Sequence, residues 1–142
     1  MAGDSSTPLS QKLGIRPGTI VTLAGEAPKG FEDETLGPLP EGATVARGVR
    51  GHPDVLLFFA TRRQALEAKL EALGRAIFPD AILWVAWPKR ASGVTTDVTE
   101  DVAREIALPR GLVDTKVCAI DDTWSGLRLV WRKELRRGDP RR

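Results

Sequence analysis

Two unbroken apolar runs set the first constraint on this chain. Val55-Leu56-Leu57-Phe58-Phe59 and Ala81-Ile82-Leu83-Trp84-Val85-Ala86-Trp87 contain no polar residue. A strand with one wet face alternates polar and apolar residues. An unbroken run belongs to a strand covered on both faces, which is the situation in parallel sheets. Between the runs lies a strong helix pattern from Thr61 to Phe78. Leu66, Leu70, Leu73 and Ile77 recur at spacings of four, three and four, which makes one apolar stripe. Thr61 and Gln64 fit a capping box at its start, and Pro79-Asp80 stops it. Strand, helix and strand in this order predict a parallel pair with a crossover helix.

The flanking segments extend that unit. Thr7 to Gly14 reads as a short helix with Thr7 as cap, Pro8 at its first position and Gly14 just past its end. Pro17-Gly18 makes a turn before a strand from Thr19 to Leu23. Lys29 to Leu36 reads as a brief helix burying Phe31 and Leu36, and Ala43 to Ala46 as a weak second strand. The link from Ala46 to Pro53 is shorter than the dozen residues of a usual parallel crossover. The second strand is therefore expected to be antiparallel or an edge stub. A second helix starts with Asp97 as cap and Glu100 three residues on. Val98, Val102 and Ile106 form its buried face, and Pro109 ends it. Val113 to Ile120 and Leu127 to Lys133 read as a terminal hairpin joined by Asp121 to Gly126. The fold class that follows is α/β: a three-layer, Rossmann-like, mostly parallel sheet with helices on both faces and a C-terminal antiparallel hairpin.

The 142 residues suit one domain. It is expected over 8–134, between a disordered N-terminus (1–7) and a basic flexible tail (135–142). Charge is unevenly placed. From Arg132 to Arg142 there are six Lys/Arg against two Asp/Glu, although the whole chain is only +2. The body is thus slightly acidic, and attraction to nucleic acid is expected only through the tail. A polar start with no apolar stretch, and no apolar run long enough to span a bilayer, point to a cytoplasmic protein with no membrane association. A single cysteine, Cys118, and a single histidine, His52, exclude a Cys/His zinc site and an internal disulfide. No metal site and no cofactor is expected. Cys118 lies in an apolar strand pattern and reads as a small buried hydrophobe. His52 reads as a turn residue with no nucleophile to activate.

Ligands in open α/β sheets gather outside the carboxyl ends of the strands. Three loops should converge there: Gly25 to Gly30, Lys89 to Asp97, and Asp121 to Gly126. The residues singled out for a ligand or partner are Lys89, Ser92, Thr95, Thr96, Asp97, Asp121, Asp122, Thr123, Trp124 and Ser125. Each has a structural reading beside the functional one. Asp97 is a helix cap or, with Ser92 and Thr96, part of an anion site at a helix start. Asp121-Asp122-Thr123 is hairpin chemistry or an acid/base pair. Trp124, at the tip of a loop, packs back on the sheet or meets a partner. Lys89 is a solvated strand end or a ligand contact. No residue stands out as catalytic.

Two resemblances follow from particular residues. From Val55 to Lys133 the chain looks like a shortened class I methyltransferase domain: a buried strand, a long helix, a strand ending Trp87-Pro88-Lys89, a helix, then Gly111-Leu112-Val113-Asp114 opening a hairpin. More closely, it resembles the DUF3052 family of small bacterial proteins of unknown function. The strings that carry this are Pro8-Leu9-Ser10, Lys12-Leu13-Gly14-Ile15, Leu83 to Lys89, Ala91 to Val94, Thr96 to Glu100 and Lys116 to Leu127. The methyltransferase resemblance implies S-adenosylmethionine as cofactor, yet its two recognition features are absent. Ala24-Gly25-Glu26-Ala27-Pro28-Lys29-Gly30 is not a glycine-rich cofactor loop. After the second strand, Arg47-Gly48-Val49-Arg50 stands where an acid would meet the ribose. The function expected is a non-enzymatic module binding a protein or a small anionic ligand. The alternatives are a divergent S-adenosylmethionine-dependent methyltransferase and a transcription-associated or nucleic-acid-binding regulator.

Overall fold

A computed structural model describes residues 7–136. The chain forms a six-stranded sheet of order β2-β1-β3-β4-β6-β5. Its strands are β1 (Ile20–Gly25), β2 (Thr44–Arg47), β3 (Val55–Phe59), β4 (Ile82–Pro88), β5 (Leu112–Ala119) and β6 (Trp124–Trp131). The helices are α1 (Leu9–Lys12), α2 (Arg63–Ile77) and α3 (Glu100–Ala107), with a short π-helical segment at Phe31–Leu36. β1 pairs in parallel with β2 and β3, and β3 with β4; β6 runs antiparallel to both β4 and β5. The single reversed strand is therefore inserted inside the sheet.

The unbroken apolar runs are explained by two separate cores. Leu56 and Phe58 of β3 meet Leu66, Leu70, Leu73 and Ile77 of α2 and Ile106 of α3 on one face. Val55, Leu57 and Phe59 point the other way, toward Leu13, Phe31 and Leu36. Alternate residues of one strand thus feed opposite cores, so no position is left for a polar side chain. Each core also buries a tryptophan whose ring N–H is satisfied. Trp84 Nε1 donates to the Leu13 carbonyl at 3.0 Å, and Trp131 Nε1 to the Gly74 carbonyl at 2.8 Å.

The structure departs from the sequence expectations at several ends of elements. β2 is the expected edge stub, but it runs parallel to β1. Seven residues (48–54) join it to β3 without a helix. Arg47 lies opposite Leu23 and Val55 opposite Val21, so the link climbs back only two residues while crossing β1. That is about 12 Å of travel, within the roughly 23 Å that seven extended residues can span. α1 begins after Pro8, which is its N-cap, and no side chain caps it. α2 is capped neither by Thr61 nor by the N-cap residue Arg62 through its own side chain. α3 is capped by Thr99, whose Oγ1 accepts from Val102 N at 3.2 Å, and not by Asp97. β6 begins at Trp124, so the hairpin turn is Ile120–Thr123. The expected N-terminal disorder and most of the basic tail lie outside the described residues. Lys133–Leu135 forms a further helical turn, and Arg136 Nε donates to the Trp131 carbonyl at 2.9 Å. No helix of the described residues is long and apolar enough to cross a membrane.

Candidate binding site at the carboxyl ends of the strands

The strand order reverses between β1 and β3: the chain leaves β1 toward β2 and returns to the other side. The crevice above such a reversal is the usual ligand position in open α/β sheets. Here the crevice is bridged by the chain's own groups. Gly25, φ +72°, passes so close to β3 that a Cβ would lie 2.3 Å from the Phe59 carbonyl oxygen. Glycine permits that approach, and Glu26 N then donates to the same oxygen at 2.8 Å. The Glu26 carboxylate reaches across to the residue following β3. It accepts from Thr61 N at 2.8 Å and from Thr61 Oγ1 at 2.9 Å.

Thr61 is the junction of two loops. Its carbonyl accepts from Thr96 Oγ1 at 2.7 Å and from Asp97 N at 3.3 Å. The Asp97 carboxylate accepts from Arg63 N at 2.6 Å. The first amides of a helix have no partner within it and carry its positive dipole end. At α2 the first of those donors, Arg63 N, is taken by Asp97, and Glu26 holds Thr61 N just before the N-cap Arg62. Asp97 is a cap, as its residue type suggested, but for the helix thirty-odd residues before it.

The β1 loop is held a second time from β2. Arg47 Nε donates to Glu32 at 2.7 Å and Nη2 to the same carboxylate at 2.9 Å. Its remaining donors reach the carbonyls of Ala27 at 3.1 Å and Pro28 at 2.5 Å. Arg47 therefore spends its guanidinium on the loop that would cradle a cofactor. Hydrogen bonds from Arg47 hold the Glu32 carboxyl at a pKa of about 2.

The other loops are also internally tied. Lys89 N donates to the Thr123 carbonyl at 2.7 Å, which brings the β4 loop to the hairpin tip. Ser92 Oγ donates back to the Lys89 carbonyl at 2.7 Å and accepts from Val94 N at 3.2 Å. Asp121 accepts from Thr123 N at 2.9 Å and Trp124 N at 2.7 Å, the pattern of an Asx turn. Asp122 and Thr95 are exposed. Ser125 is half-buried on β6 opposite Trp87 and Ala119. Trp124 is not at a loop tip. It is 9% exposed and packs edge-on against Phe59 at 5.0 Å.

Beside the Thr61 junction lies a shallow cleft of about 520 Å³ lined by Thr61, Arg62, Gln64, Thr95, Thr96 and Asp97. Its lining carries one cation, Arg62, and one carboxylate, Asp97. Glu26, Asp97 and Asp121 are committed to backbone amides, whereas Lys29, Arg62, Lys89 and Arg90 make no ion pair among the described residues. His52, in the β2–β3 link, and Cys118, on β5, sit at opposite edges of the sheet and cannot act together. Cys118 is half-buried, and burial pushes its thiol pKa up despite Lys116 and Lys12 nearby. Among the described residues no cluster of His, Cys, Asp or Glu could hold a metal ion.

Of the residues chosen from sequence, the fold brings Thr95, Thr96 and Asp97 into the cleft and sets Lys89 beside the hairpin tip; Trp124 belongs to the core. Thr61, Arg47 and Glu32 were missed. Thr61 was hidden by its fit to a local capping box. The true cap of α3 did leave a trace: Glu100 and Asp101 directly after Thr99 place acids in a first turn.

No protein-family model matches the chain, and no curated protein sequence matches it. Solved structures do. An S-adenosylmethionine-dependent methyltransferase from Aquifex aeolicus aligns over 84% of this chain and 85% of its own, with a TM-score of 0.63 at 15% identity. Magnesium protoporphyrin IX methyltransferase from Synechocystis PCC 6803, with bound S-adenosylhomocysteine, aligns over 91% and 81%, with a TM-score of 0.56 at 13% identity. A putative Haloferax volcanii methyltransferase, in complex with the Trm112 activator, aligns over 87% and 86%, with a TM-score of 0.55 at 12% identity. At these identities the likeness is one of fold: a six-stranded, mostly parallel, methyltransferase-like α/β sheet with C-terminal antiparallel strands.

Proposed function

We propose that this protein is a non-enzymatic binding module on a methyltransferase-like scaffold, and that it takes an anionic ligand or protein segment at the cleft above Thr61. The observation that carries this reading is the double hold on the β1 loop, by Glu26 on Thr61 and by Arg47 on Ala27, Pro28 and Glu32. A loop committed in this way is set in place by the protein's own side chains rather than by a bound nucleoside cofactor. Arg62, in the cleft lining and without an ion pair among the described residues, favours negative charge in what binds there, and Lys89 and Arg90 follow the neighbouring strand β4. The strings Leu83 to Lys89 and Lys116 to Leu127 support placing the chain with the DUF3052 family.

Inorganic pyrophosphate tests the anionic reading. Titrated calorimetrically into the wild type, it should bind saturably, more weakly as salt rises. An Arg62→Glu, Arg90→Glu double variant should lose at least about tenfold in affinity, near 1.4 kcal/mol. Absence of binding, or binding untouched by the double variant, overturns it. The competing reading is a divergent S-adenosylmethionine-dependent methyltransferase. The near-complete overlap with methyltransferase structures supports it, and a nucleoside-cofactor titration separates the two.

A further inference from the structure

One part of the sheet lacks its covering layer. α2 packs over β3 and β4, and α3 over β5 and β6, on the same face. The residues of β1 and β2 on that face have no helix above them, because the β2–β3 link is seven residues with no helix in it. Val21, Leu23 and Val45 face the other core, so strand alternation turns Ile20, Thr22, Ala24 and Ala46 to this side, of which Thr22 is buried. Val49 in the link is 41% exposed beside the carboxyl ends of these strands, and Ile20, at the far end of β1, is 51% exposed.

The result is a groove of about 640 Å³ between α2 and the link, with Ala24 and Phe58 in its floor. Its α2 bank is Ala65, Ala68 and Ala72, at spacings of three and four, so they share one helix face. A bank of alanines permits a close helix–helix approach at the short end of the usual 8–10 Å. The groove has charge as well as shape. Among the described residues no acidic side chain lines it. Lys69 stands on the α2 bank and Arg50 follows Val49 in the opposite bank, and neither makes an ion pair among the described residues. Arg47, also at the groove, is already neutralised by Glu32.

We infer that this groove docks an amphipathic helix of a partner protein, with an apolar stripe toward Ala65, Ala68 and Ala72 and acidic residues along its flanks. The helix would supply the missing layer over β1 and β2. A second copy of this chain fits less well, since meeting α2 to α2 would set Lys69 against Lys69.

The probe is a fluorescein-labelled synthetic helical peptide with leucines at i, i+3, i+4 and i+7 and glutamates on both flanks. Its anisotropy is followed on titration with the full chain. Saturable binding is expected, weakened at least about tenfold by Ala68→Arg and by Lys69→Glu, and absent for a lysine-flanked peptide. Both positions are exposed, so both variants should keep the wild-type melting temperature. No saturable binding, or equal binding to both variants, overturns the inference. So does a dimer in sedimentation equilibrium that Ala68→Arg disperses, which would assign the face to a second copy.

Discussion

Glu26 and Asp97 are carboxylates that behave as ligands of their own protein. Asp97 occupies the first amide of α2, Arg63 N, and Glu26 the amide of Thr61 just before the N-cap. Replacing Asp97 by Ala should cost about 1 kcal/mol, the usual cost of losing a helix cap, and should speed hydrogen exchange at the Arg63 amide. Unchanged exchange there would show that the cap contributes nothing. Glu32 gives a pH dependence of definite sign. Its folded pKa of about 2 is below its ordinary value of 4.5, so the pair with Arg47 stabilises fully above about pH 4.5. That stabilisation is lost as pH falls from about 4.5 toward 2. Arg104 likewise holds the Asp114 carboxyl below its ordinary value, with the same sign. Chemical denaturation at pH 6 and pH 3 should show a smaller acid loss in Glu32→Gln than in the wild type. Trp124 is a core residue against Phe59 and Ile120, so Trp124→Ala should destabilise by about 3–5 kcal/mol. A variant with wild-type melting behaviour would return Trp124 to the surface.

The interiors of the elements were legible, because each obeys a local rule. The stripe Leu66, Leu70, Leu73 and Ile77 is buried as its spacing requires, and Phe31 and Leu36 are buried in the short segment expected to bury them. The apolar runs became β3 and β4 with both faces covered. The ends were less legible, because their partners are distant in sequence. Thr61, Asp97 and Thr99 all look like caps. Thr99 serves its own helix through Val102 N, but the partners of Thr61 and Asp97 lie on loops thirty-odd residues away, and no local pattern records those. β2 shows the same limit. The length of its link suggests an antiparallel strand or an edge stub; β2 is the edge stub and runs parallel, because the stagger of β2 and β3 against β1 decides how far the link must reach. The cap assignment is testable at this scale. Thr99→Ala should lower stability by about 1 kcal/mol through loss of its bond to Val102 N. A Thr99→Ala stability equal to that of the wild type would show that the cap of α3 lies elsewhere.

At the scale of the molecule, the scaffold and the site carry different information. Periodicity and the alternation of strands and helices point to the Rossmann-like, mostly parallel α/β class, and the order of elements from Val55 to Lys133 carries the resemblance to a methyltransferase domain. The missing glycine pattern after β1 was also visible, but what replaced it was not. Glu26, Arg47, Glu32 and Thr61 come from four separate segments, and only the folded sheet sets them on one loop. The central claim is that this internal network has taken the place of a cofactor. Isothermal titration of the purified chain with S-adenosylhomocysteine tests it most directly. The account predicts no saturable heat. Saturable heat with a Kd of about 100 μM or tighter, near −5.5 kcal/mol, would contradict it and make the held loop a variant cofactor site.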